Sequence, residues 1–311
     1  MRRASIFLTI FLALSARALE IHHDYGTESF ERAPKNVITL DWTLAETLIS
    51  LGIQPQGIAD VSGYNTWVSQ PKLGPNVVDV GKRREPNIVR IAELKPDVIL
   101  ISGYMASSYH ELTKIAPVLV YSVYNTEKEP LLSAMSITRS LGSLFDKQNN
   151  AEKIIQKTEE HLKENADKIK MKNIQVKPLL FVRLMNEGTL RIHSQGSLVQ
   201  SVLDVMNLEN DWHEKTNIWG FSTTGVEKIA NHQQANVLMF GPLMDDEREL
   251  LSKSPLWQEM RFTQTNSVYE LPVIWSFGGL ISARRLSDSI TEQLLGNQLK
   301  SDEIMGLSHK Q

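Results

Sequence analysis

One strand-helix-strand unit, residues 79–104 with the sequence DVGKRREPNIVRIAELKPDVILISGY, constrains the fold of this chain more than any other segment. Asn87 follows a proline and is typical of a helix start, and the pair Lys95-Pro96 ends the apolar periodicity of that helix. Residues 98–101 form a continuous apolar run, which is typical of a strand buried on both faces of a parallel sheet. The unit therefore predicts an α/β fold built on parallel strands.

Two cations and a phenol follow the strands of this unit. Arg83 and Arg84 lie in the loop after the first strand, and Tyr104 lies just past the end of the second. The carboxyl ends of parallel strands form the edge at which open α/β sheets bind ligands. A guanidinium group presents a planar fork of donors that matches paired oxygen atoms, and it keeps its charge. We therefore expect this edge to hold an oxygen-rich ligand.

The alternation of strands and helices occurs twice, separated by a charged segment with a thin apolar line at residues 151–169, which is typical of a long solvated helix. A chain of this length exceeds the usual size of one hydrophobic core. The predicted fold is α/β, with two Rossmann-like lobes, a ligand cleft between them and a long rigid helix that joins them. The predicted ranges are an N-terminal lobe at 19–140, the linking helix at 141–172, a C-terminal lobe at 173–297 and a flexible polar tail at 298–311.

The first 18 residues have the pattern of a secretory signal. Arg2 and Arg3 precede an apolar run at 6–14, and small residues around Ala18 are suitable for cleavage. The apolar run is far shorter than the ~20 residues that a membrane-spanning helix needs. The chain has no cysteine, which excludes disulfides and an acylated cysteine anchor. We therefore expect a protein of the Gram-negative periplasm.

The charge of the chain argues against a nucleic-acid partner. The sequence has 33 lysines and arginines against 36 acidic residues, and three of those arginines and no acids lie in the first 18 residues, so the remainder carries a formal charge of −6. Nucleic-acid binding normally requires a basic surface, because the phosphate backbone supplies much of the affinity.

The segment 79–104 contains the pattern DVG-x-R-x-EPN and ends with the pair GY. In both features it resembles periplasmic binding proteins for ferric siderophores, and in particular those for ferric hydroxamates. The resemblance implies a protein without catalytic activity or cofactor that captures a ferric siderophore and delivers it, as a monomer, to an inner-membrane ABC permease. It also implies that no protein side chain ligates iron, because the siderophore's own oxygens fill the coordination sphere of the metal.

The resemblance also assigns roles to individual residues. Arg83 and Tyr104 correspond to donors for the hydroxamate oxygens. Four side chains correspond to apolar contacts that cover the methylene linkers of the siderophore: Trp67, Trp219, Trp275 and Leu190. The three tryptophans are expected in loops. The other tryptophans, 42, 212 and 257, are expected to be packing residues.

Three positions depart from the family pattern. Phe277 stands where the ferric-hydroxamate proteins have a tyrosine, whereas Arg84 and Arg191 add positive charge. The extra cations raise the potential of the cleft and favour chelates that carry carboxylates over neutral ones.

Two acidic residues are candidates for docking on the permease. Glu111 and Glu227 fall on predicted helices after a cleft loop, one in each lobe, and the resemblance implies that one exposed acid per lobe contacts arginines of the importer. An ordinary solvated helix charge is the alternative interpretation of both residues.

Other functions remain open at this point. A carrier of haem or a corrinoid would share the two-lobed architecture and could recruit Tyr104 as an axial ligand. A secreted hydrolase is less compatible with the sequence, because Ser194 and Ser197 in the SQGS segment lack the G-x-S-x-G pattern. The pair His22-His23 has no metal-ligand spacing with the other histidines and is expected to be flexible.

Overall fold

The computed structural model describes residues 18–173, 176–186 and 188–308. The predicted signal, apart from residue 18, lies outside the described residues, as do positions 309–311 of the predicted tail. Two five-stranded sheets with helices form two α/β lobes, which confirms the predicted fold class. Among the described residues, no helix is both long enough and apolar enough to cross a membrane.

The N-terminal lobe contains a hairpin and a parallel sheet. Its strands are β1 (Leu19–His23), β2 (Gly26–Phe30), β3 (Val37–Thr39), β4 (Gly57–Ile58), β5 (Val78–Asp79), β6 (Val98–Ile101) and β7 (Val118–Val120). The antiparallel pair β1-β2 forms the hairpin, and the other strands are parallel in the order β5-β4-β3-β6-β7. From β3 the chain adds β4 and β5 on one side of the sheet and then crosses over to add β6 and β7 on the other side. The strand order therefore reverses between β3 and β6, and open α/β sheets bind ligands at such a switch point.

Five helices belong to this lobe: α1 (Trp42–Ser50), α2 (Val61–Trp67), α3 (Ile88–Glu93), α4 (Tyr109–Leu112) and α5 (Pro130–Leu144). Helix α3 begins after Asn87, as the sequence predicts, because the Asn87 side chain accepts a hydrogen bond from the Arg90 amide at 3.0 Å. Helix α1 is capped in the same way by Asp41, whose carboxylate accepts from the Thr43 amide at 2.8 Å. Both caps hold a helix N-terminus at the carboxyl edge of the sheet.

A long helix, α6 (Gln148–Met171), connects the lobes. It begins later than the predicted range 141–172 because α5 occupies the chain as far as Leu144. One apolar core contains side chains of α5, α6 and the C-terminal helices α7 (Leu198–Met206) and α11 (Leu280–Ser308). Since one core contains side chains from both lobes, burial of its apolar surface favours a fixed arrangement of the two.

The C-terminal sheet is mixed. Its strands are β8 (Leu179–Asn186), β9 (Thr189–His193), β10 (Phe221–Gly225), β11 (Asn236–Met239) and β12 (Val268–Glu270). Their order is β10-β9-β8-β11-β12. Strands β8, β11 and β12 are parallel, β9 is antiparallel to β8, and β10 is antiparallel to β9. Short helices α8 (Asp245–Lys253), α9 (Pro255–Glu259) and α10 (Arg261–Gln264) lie between β11 and β12.

One sequence-based expectation about the chain ends requires correction. His22 and His23 belong to strand β1, and the Nδ1 atom of His23 accepts a hydrogen bond from the Val120 amide at 3.2 Å, so the pair is not flexible. At the other end, helix α11 continues to Ser308 and includes most of the range expected to be a polar tail. A helical backbone is compatible with a polar sequence, and the flexibility of this tail stays a prediction.

Candidate ligand-binding site

A cavity of about 540 Å³ lies between the lobes, within the size range of ligand sites in proteins. Most of the residues predicted from the sequence line it: Arg83, Tyr104, Arg191, Trp219, Trp275 and Phe277. We call this cavity the cleft.

The N-terminal wall of the cleft is formed where the parallel strands end. Asp41 follows β3, Arg83 follows β5, Tyr104 follows β6 and Tyr124 follows β7. The strand-end rule that pointed to Arg83 therefore applies to four strands of this sheet. Asp41 and Tyr124 were not predicted, although their positions after apolar strands were available as a signal in the sequence.

Arg83 is held by aromatic and acidic neighbours. Its guanidinium carbon lies 4.4 Å from the ring centroid of Trp42 and 5.6 Å from that of Trp275. A terminal nitrogen lies 3.6 Å from a carboxylate oxygen of Asp41. Within the described part of the chain, the Nε atom of Arg83 is buried and has no hydrogen-bond partner, and the same is true of the indole nitrogen of Trp275. Such donors are costly to leave unpaired. The Arg83 side chain as a whole remains 22% exposed at the cleft wall, so a ligand oxygen can reach its guanidinium.

Aromatic rings from the two lobes meet across the cleft. The ring of Trp219, from the segment before β10, lies 5.3 Å from Tyr104 and 5.8 Å from Tyr124 in the N-terminal lobe. Phe277 lies 5.7 Å from Tyr124 and 5.3 Å from Trp275. These centroid distances are in the range of favourable aromatic pairs. The result is a largely apolar wall suited to the hydrocarbon parts of a ligand.

Three predicted residues do not line the cleft. Leu190 is fully buried in a core cluster of the C-terminal lobe because its position on β9 turns it toward that core, which corrects the expected ligand contact. Trp67 ends helix α2 and is not in a loop, and its ring lies 5.0 Å from the guanidinium of Arg183 in the other lobe. Arg84 is exposed, and its guanidinium lies 4.8 Å from the ring of Tyr104, next to the cleft.

The charges around the cleft are more balanced than the sequence suggested. Asp41 lies close to Arg83, and Asp24 at the tip of the β1-β2 hairpin also lines the cavity. Arg191 lies 4.7 Å above the ring of Phe221, and burial lowers the pKa of its guanidinium. No ion pair of Arg191 is present among the described residues, so it is the cleft cation that is most available to a ligand.

His193 lies beneath the cleft without being exposed in it. Its ring is buried and packs 5.7 Å from Phe277 and 5.8 Å from Phe221. Burial, and then the nearby Arg191, lower the pKa of this histidine to about 3. His193 therefore stays neutral and serves as part of the packed floor.

This burial predicts an acid-sensitive fold. The pKa of His193 falls from 6.5 to about 3 on folding, so the unfolded chain binds a proton that the folded protein does not bind between those pH values. Stability must therefore fall as the pH decreases through this window, and this group alone should cost about 2 kcal/mol at pH 5 relative to pH 8. Urea unfolding of His193→Asn should show a smaller pH dependence than the wild type. The exposed His213→Asn variant is the control, and an equal pH dependence in all three proteins would contradict this role.

The candidate docking acids are both at the surface. Glu111 is on α4, and its carboxylate accepts a hydrogen bond from Lys114 at 2.7 Å, which lowers the pKa of the glutamate. Glu227 is exposed in a 3-10 helix, Val226–Asn231, that follows β10. Each glutamate follows an element that lines the cleft. Glu111 comes after the 3-10 helix Gly103–Ser108, which contributes Tyr104, and Glu227 comes after β10, which contributes Phe221.

The serines that suggested a hydrolase have structural roles. Ser194 is buried and its hydroxyl donates to the Trp212 carbonyl, and Ser197 is buried and caps helix α7. Neither lines the cleft. The described residues include no group of three or more His, Cys, Asp or Glu side chains that could hold a metal ion.

Two α/β lobes joined by a long helix, with a cleft at the strand ends of one lobe and aromatic residues from both, define a two-lobed solute-binding protein. A family model described as periplasmic binding protein matches residues 37–274, so the chain belongs to the periplasmic binding protein family.

Individual relatives agree with this assignment. The iron(3+)-hydroxamate-binding protein FhuD of Escherichia coli (strain K12) is 30% identical over 250 residues, which cover 80% of this chain and 83% of that protein. The crystal structure of the siderophore-binding protein FhuD from Vibrio cholerae, bound to Fe3+-Desferal, matches with a TM-score of 0.80 and 31% identity over 84% of this chain and 98% of that one. The Fe(3+) dicitrate-binding periplasmic protein FecB of E. coli (strain K12) is 32% identical over 152 residues, or 47% of this chain and 50% of that protein. The resemblance inferred from the sequence is thereby confirmed.

Proposed function

We propose that this protein captures a ferric hydroxamate-type siderophore in the cleft and delivers it to an inner-membrane ABC importer. The observation that carries the proposal is the geometry of Arg83. Its guanidinium packs against the adjacent rings of Trp42 and Trp275 at the wall of a cleft of suitable volume, and among the described residues its Nε has no acceptor. The similarity to the E. coli and V. cholerae FhuD proteins supports the choice of ligand class.

The chemistry of recognition follows from the chelate. A hexadentate siderophore surrounds Fe(III) with hard oxygen donors, so the protein binds the outer surface of the complex and needs no iron ligand of its own. Arg83 donates to the hydroxamate oxygens in charge-assisted hydrogen bonds, and Tyr104 adds a hydroxyl donor. Trp219, Trp275 and Phe277 cover the apolar linkers. The protein acts in the periplasm as a monomer and catalyses no reaction.

Fluorescence titration tests this function. Ferric desferal and ferrichrome should quench the tryptophan emission, because Trp219 and Trp275 border the cleft and the coloured chelate would lie against them. Replacing both with phenylalanine should reduce the quenching and leave the part due to Trp42, whose ring lies 5.0 Å from that of Trp275, whereas Trp212→Phe, in a buried site outside the cleft, should not reduce it. Haemin is the competing ligand. Quenching by haemin but by neither ferric hydroxamate would overturn the proposal in favour of a haem carrier.

Selectivity for ligand charge should depend mainly on Arg191. Arg83 has Asp41 beside it and Arg84 lies over Tyr104, which leaves Arg191 as the cation most available to a carboxylate. We expect ferric aerobactin to bind more tightly than neutral ferrichrome, and added salt to narrow the difference. Isothermal titration of the wild type and Arg191→Leu checks this, because the preference should shrink in the variant. An unchanged preference would exclude Arg191 as its source.

A further inference from the structure

The segment 273–279 supplies two aromatic residues of the cleft, Trp275 and Phe277, and lies between strand β12 and helix α11. Although it belongs to the C-terminal lobe in sequence, it is bound to the N-terminal lobe. The Thr43 hydroxyl donates to the Phe277 carbonyl at 2.7 Å, and the ring of Trp275 lies 5.0 Å from that of Trp42.

A tyrosine adds two weaker contacts to this segment. The Tyr124 hydroxyl lies 3.4 Å from the carbonyl oxygens of both Ser276 and Gly278. Burial raises the pKa of Tyr124 well above its usual value, so the phenol keeps the proton that it donates. Backbone carbonyls of the segment are thus hydrogen-bonded by side chains of the other lobe.

Glu46 on α1 makes the central contact of this junction. Its side chain is buried, and its carboxylate accepts hydrogen bonds from the amides of Gly279 at 3.2 Å and Ser282 at 2.9 Å and contacts the Ser282 hydroxyl at 2.7 Å. These amides lie at the start of α11, where helix N–H groups lack intrahelical partners and the helix dipole favours a negative charge.

Glu46 depends on these hydrogen bonds because it is buried and has no paired cation among the described residues. Burial raises the pKa of the Glu46 carboxyl, while the hydrogen bonds from Ser282 and Gly279 oppose that shift. Among the described residues no cation forms an ion pair with it, since the nearby Arg285 donates to the carbonyls of Val68 and Val273 instead. A buried carboxylate is unfavourable unless its hydrogen bonds are complete. The contact is therefore stable only while the start of α11 keeps its position beside Glu46 on α1.

The glycine beside this junction shows how closely the side chains of Ser282 and Glu46 pack against the backbone of the segment. A Cβ atom added to Gly278 would lie 2.9 Å from the nearer Glu46 carboxylate oxygen and would clash with the Ser282 side chain. The segment can therefore approach α1 in this way only with glycine at this position.

We propose that Glu46 is a positioning residue of the cleft, which fixes the start of α11 on the N-terminal lobe and thereby holds Trp275 and Phe277 in place before the ligand arrives. The proposal rests on the function proposed above. It means that the two aromatic side chains of segment 273–279 are held in place by the N-terminal lobe, although the segment follows the C-terminal sheet in sequence. Ligand binding then needs no ordering of that wall, which lowers the entropic cost of binding.

The test is a double-mutant cycle measured with ferric desferal. Glutamine at position 46 has no negative charge and only one acceptor oxygen, so Glu46→Gln loses the favourable interaction with the N-terminus of α11 and forces the Ser282 hydroxyl to accept from the glutamine amide instead of donating. It should weaken binding by about tenfold in the wild-type background. In a background that already carries Trp275→Ala and Phe277→Ala, the same substitution should change the affinity by less than about twofold.

The control separates positioning from stability. Asn165→Ala removes buried hydrogen bonds from α6 to Ser287 and Asp288 on the same helix α11, at 3.0 and 2.8 Å. It should lower the melting temperature without changing affinity. Equal affinity of Glu46→Gln and wild type, or a full tenfold loss that persists in the background without the two aromatics, would overturn the proposal.

Hydrogen exchange of the ligand-free protein distinguishes this proposal from the function on which it rests. The amides of Gly279 and Ser282 should exchange faster in Glu46→Gln than in wild type, while amides of the N-terminal sheet remain protected. If wild type binds no ferric hydroxamate but shows this pattern, the proposed ligand is wrong and the positioning role stands. Unchanged exchange at both amides would refute the role. Should Glu46→Gln fail to fold, Ser282→Ala removes one donor alone and should show the same effects at smaller size.

Discussion

Replacing Arg83 with alanine should weaken binding of ferric desferal by roughly ten- to a hundredfold. A charge-assisted hydrogen bond contributes roughly 1.5 to 3 kcal/mol, and each ~1.4 kcal/mol corresponds to a factor of ten in affinity. The geometry adds a second cost, because Asp41 would lose its neighbouring cation, 3.6 Å away, and would face the ligand oxygens with its negative charge uncompensated. Isothermal titration measures the change directly.

Three variants define what the arginine contributes. Arg83→Lys keeps the charge but loses the planar fork and the stacking on Trp42, so we expect an intermediate affinity. Tyr104→Phe removes a neutral hydroxyl from a side chain that is 45% exposed and should cost less than Arg83→Ala. Arg90→Ala is the matched control, because Arg90 is exposed on α3 and does not line the cleft. Titration curves of Arg83→Ala that superimpose on those of the wild type would place the ligand elsewhere.

Charge reversal at Glu111 and Glu227 together should abolish siderophore-dependent growth in cells that lack the native protein, while siderophore affinity in solution stays intact. Both glutamates are exposed and lie outside the cleft, one in each lobe, so a permease that spans the two lobes can contact both. An exposed ion pair contributes only ~1 kcal/mol or less, but replacing attraction by repulsion at two points changes the orientation of docking as well as its strength.

The two glutamates should not contribute equally. Glu111 is already paired with Lys114 at 2.7 Å, whereas no ion pair of Glu227 occurs in the described part of the chain, so Glu227→Lys alone should have the larger effect. A double variant with Glu159→Lys and Glu164→Lys, both exposed on α6, carries the same change of charge and should grow normally. Normal growth of the Glu111→Lys, Glu227→Lys variant would exclude docking through these residues.

Local sequence patterns were enough to predict the ligand-binding edge of the N-terminal lobe. The buried strand β6 and helix α3 follow from an apolar run and from a cap at Asn87, and the residues after the strands of that unit, Arg83 and Tyr104, line the cleft. These predictions depend on a few neighbouring residues, because strand ends in a parallel sheet share one edge wherever the rest of the chain folds. The same rule, applied to β3 and β7, would also have found Asp41 and Tyr124.

Features that depend on long-range packing could not be read in this way. Leu190 and Arg191 are neighbours on β9, and only the register of the sheet determines that the leucine is buried in the core while the arginine lines the cleft. The role inferred for Glu46 depends on amides more than 230 positions further along the chain, which no local pattern indicates. The balance of charge in the cleft likewise required the fold, because Asp24 enters it from the N-terminal hairpin.

The most direct measurement of the central claim is the native mass spectrum of the protein after incubation with an equimolar mixture of ferric desferal, iron-free desferal and haemin, followed by desalting. We expect one adduct per chain, with the mass of the ferric chelate, and the loss of this adduct in Arg83→Ala. An adduct of haemin, or no adduct of the ferric chelate with the wild-type protein, would contradict the assignment of this cleft to a ferric hydroxamate.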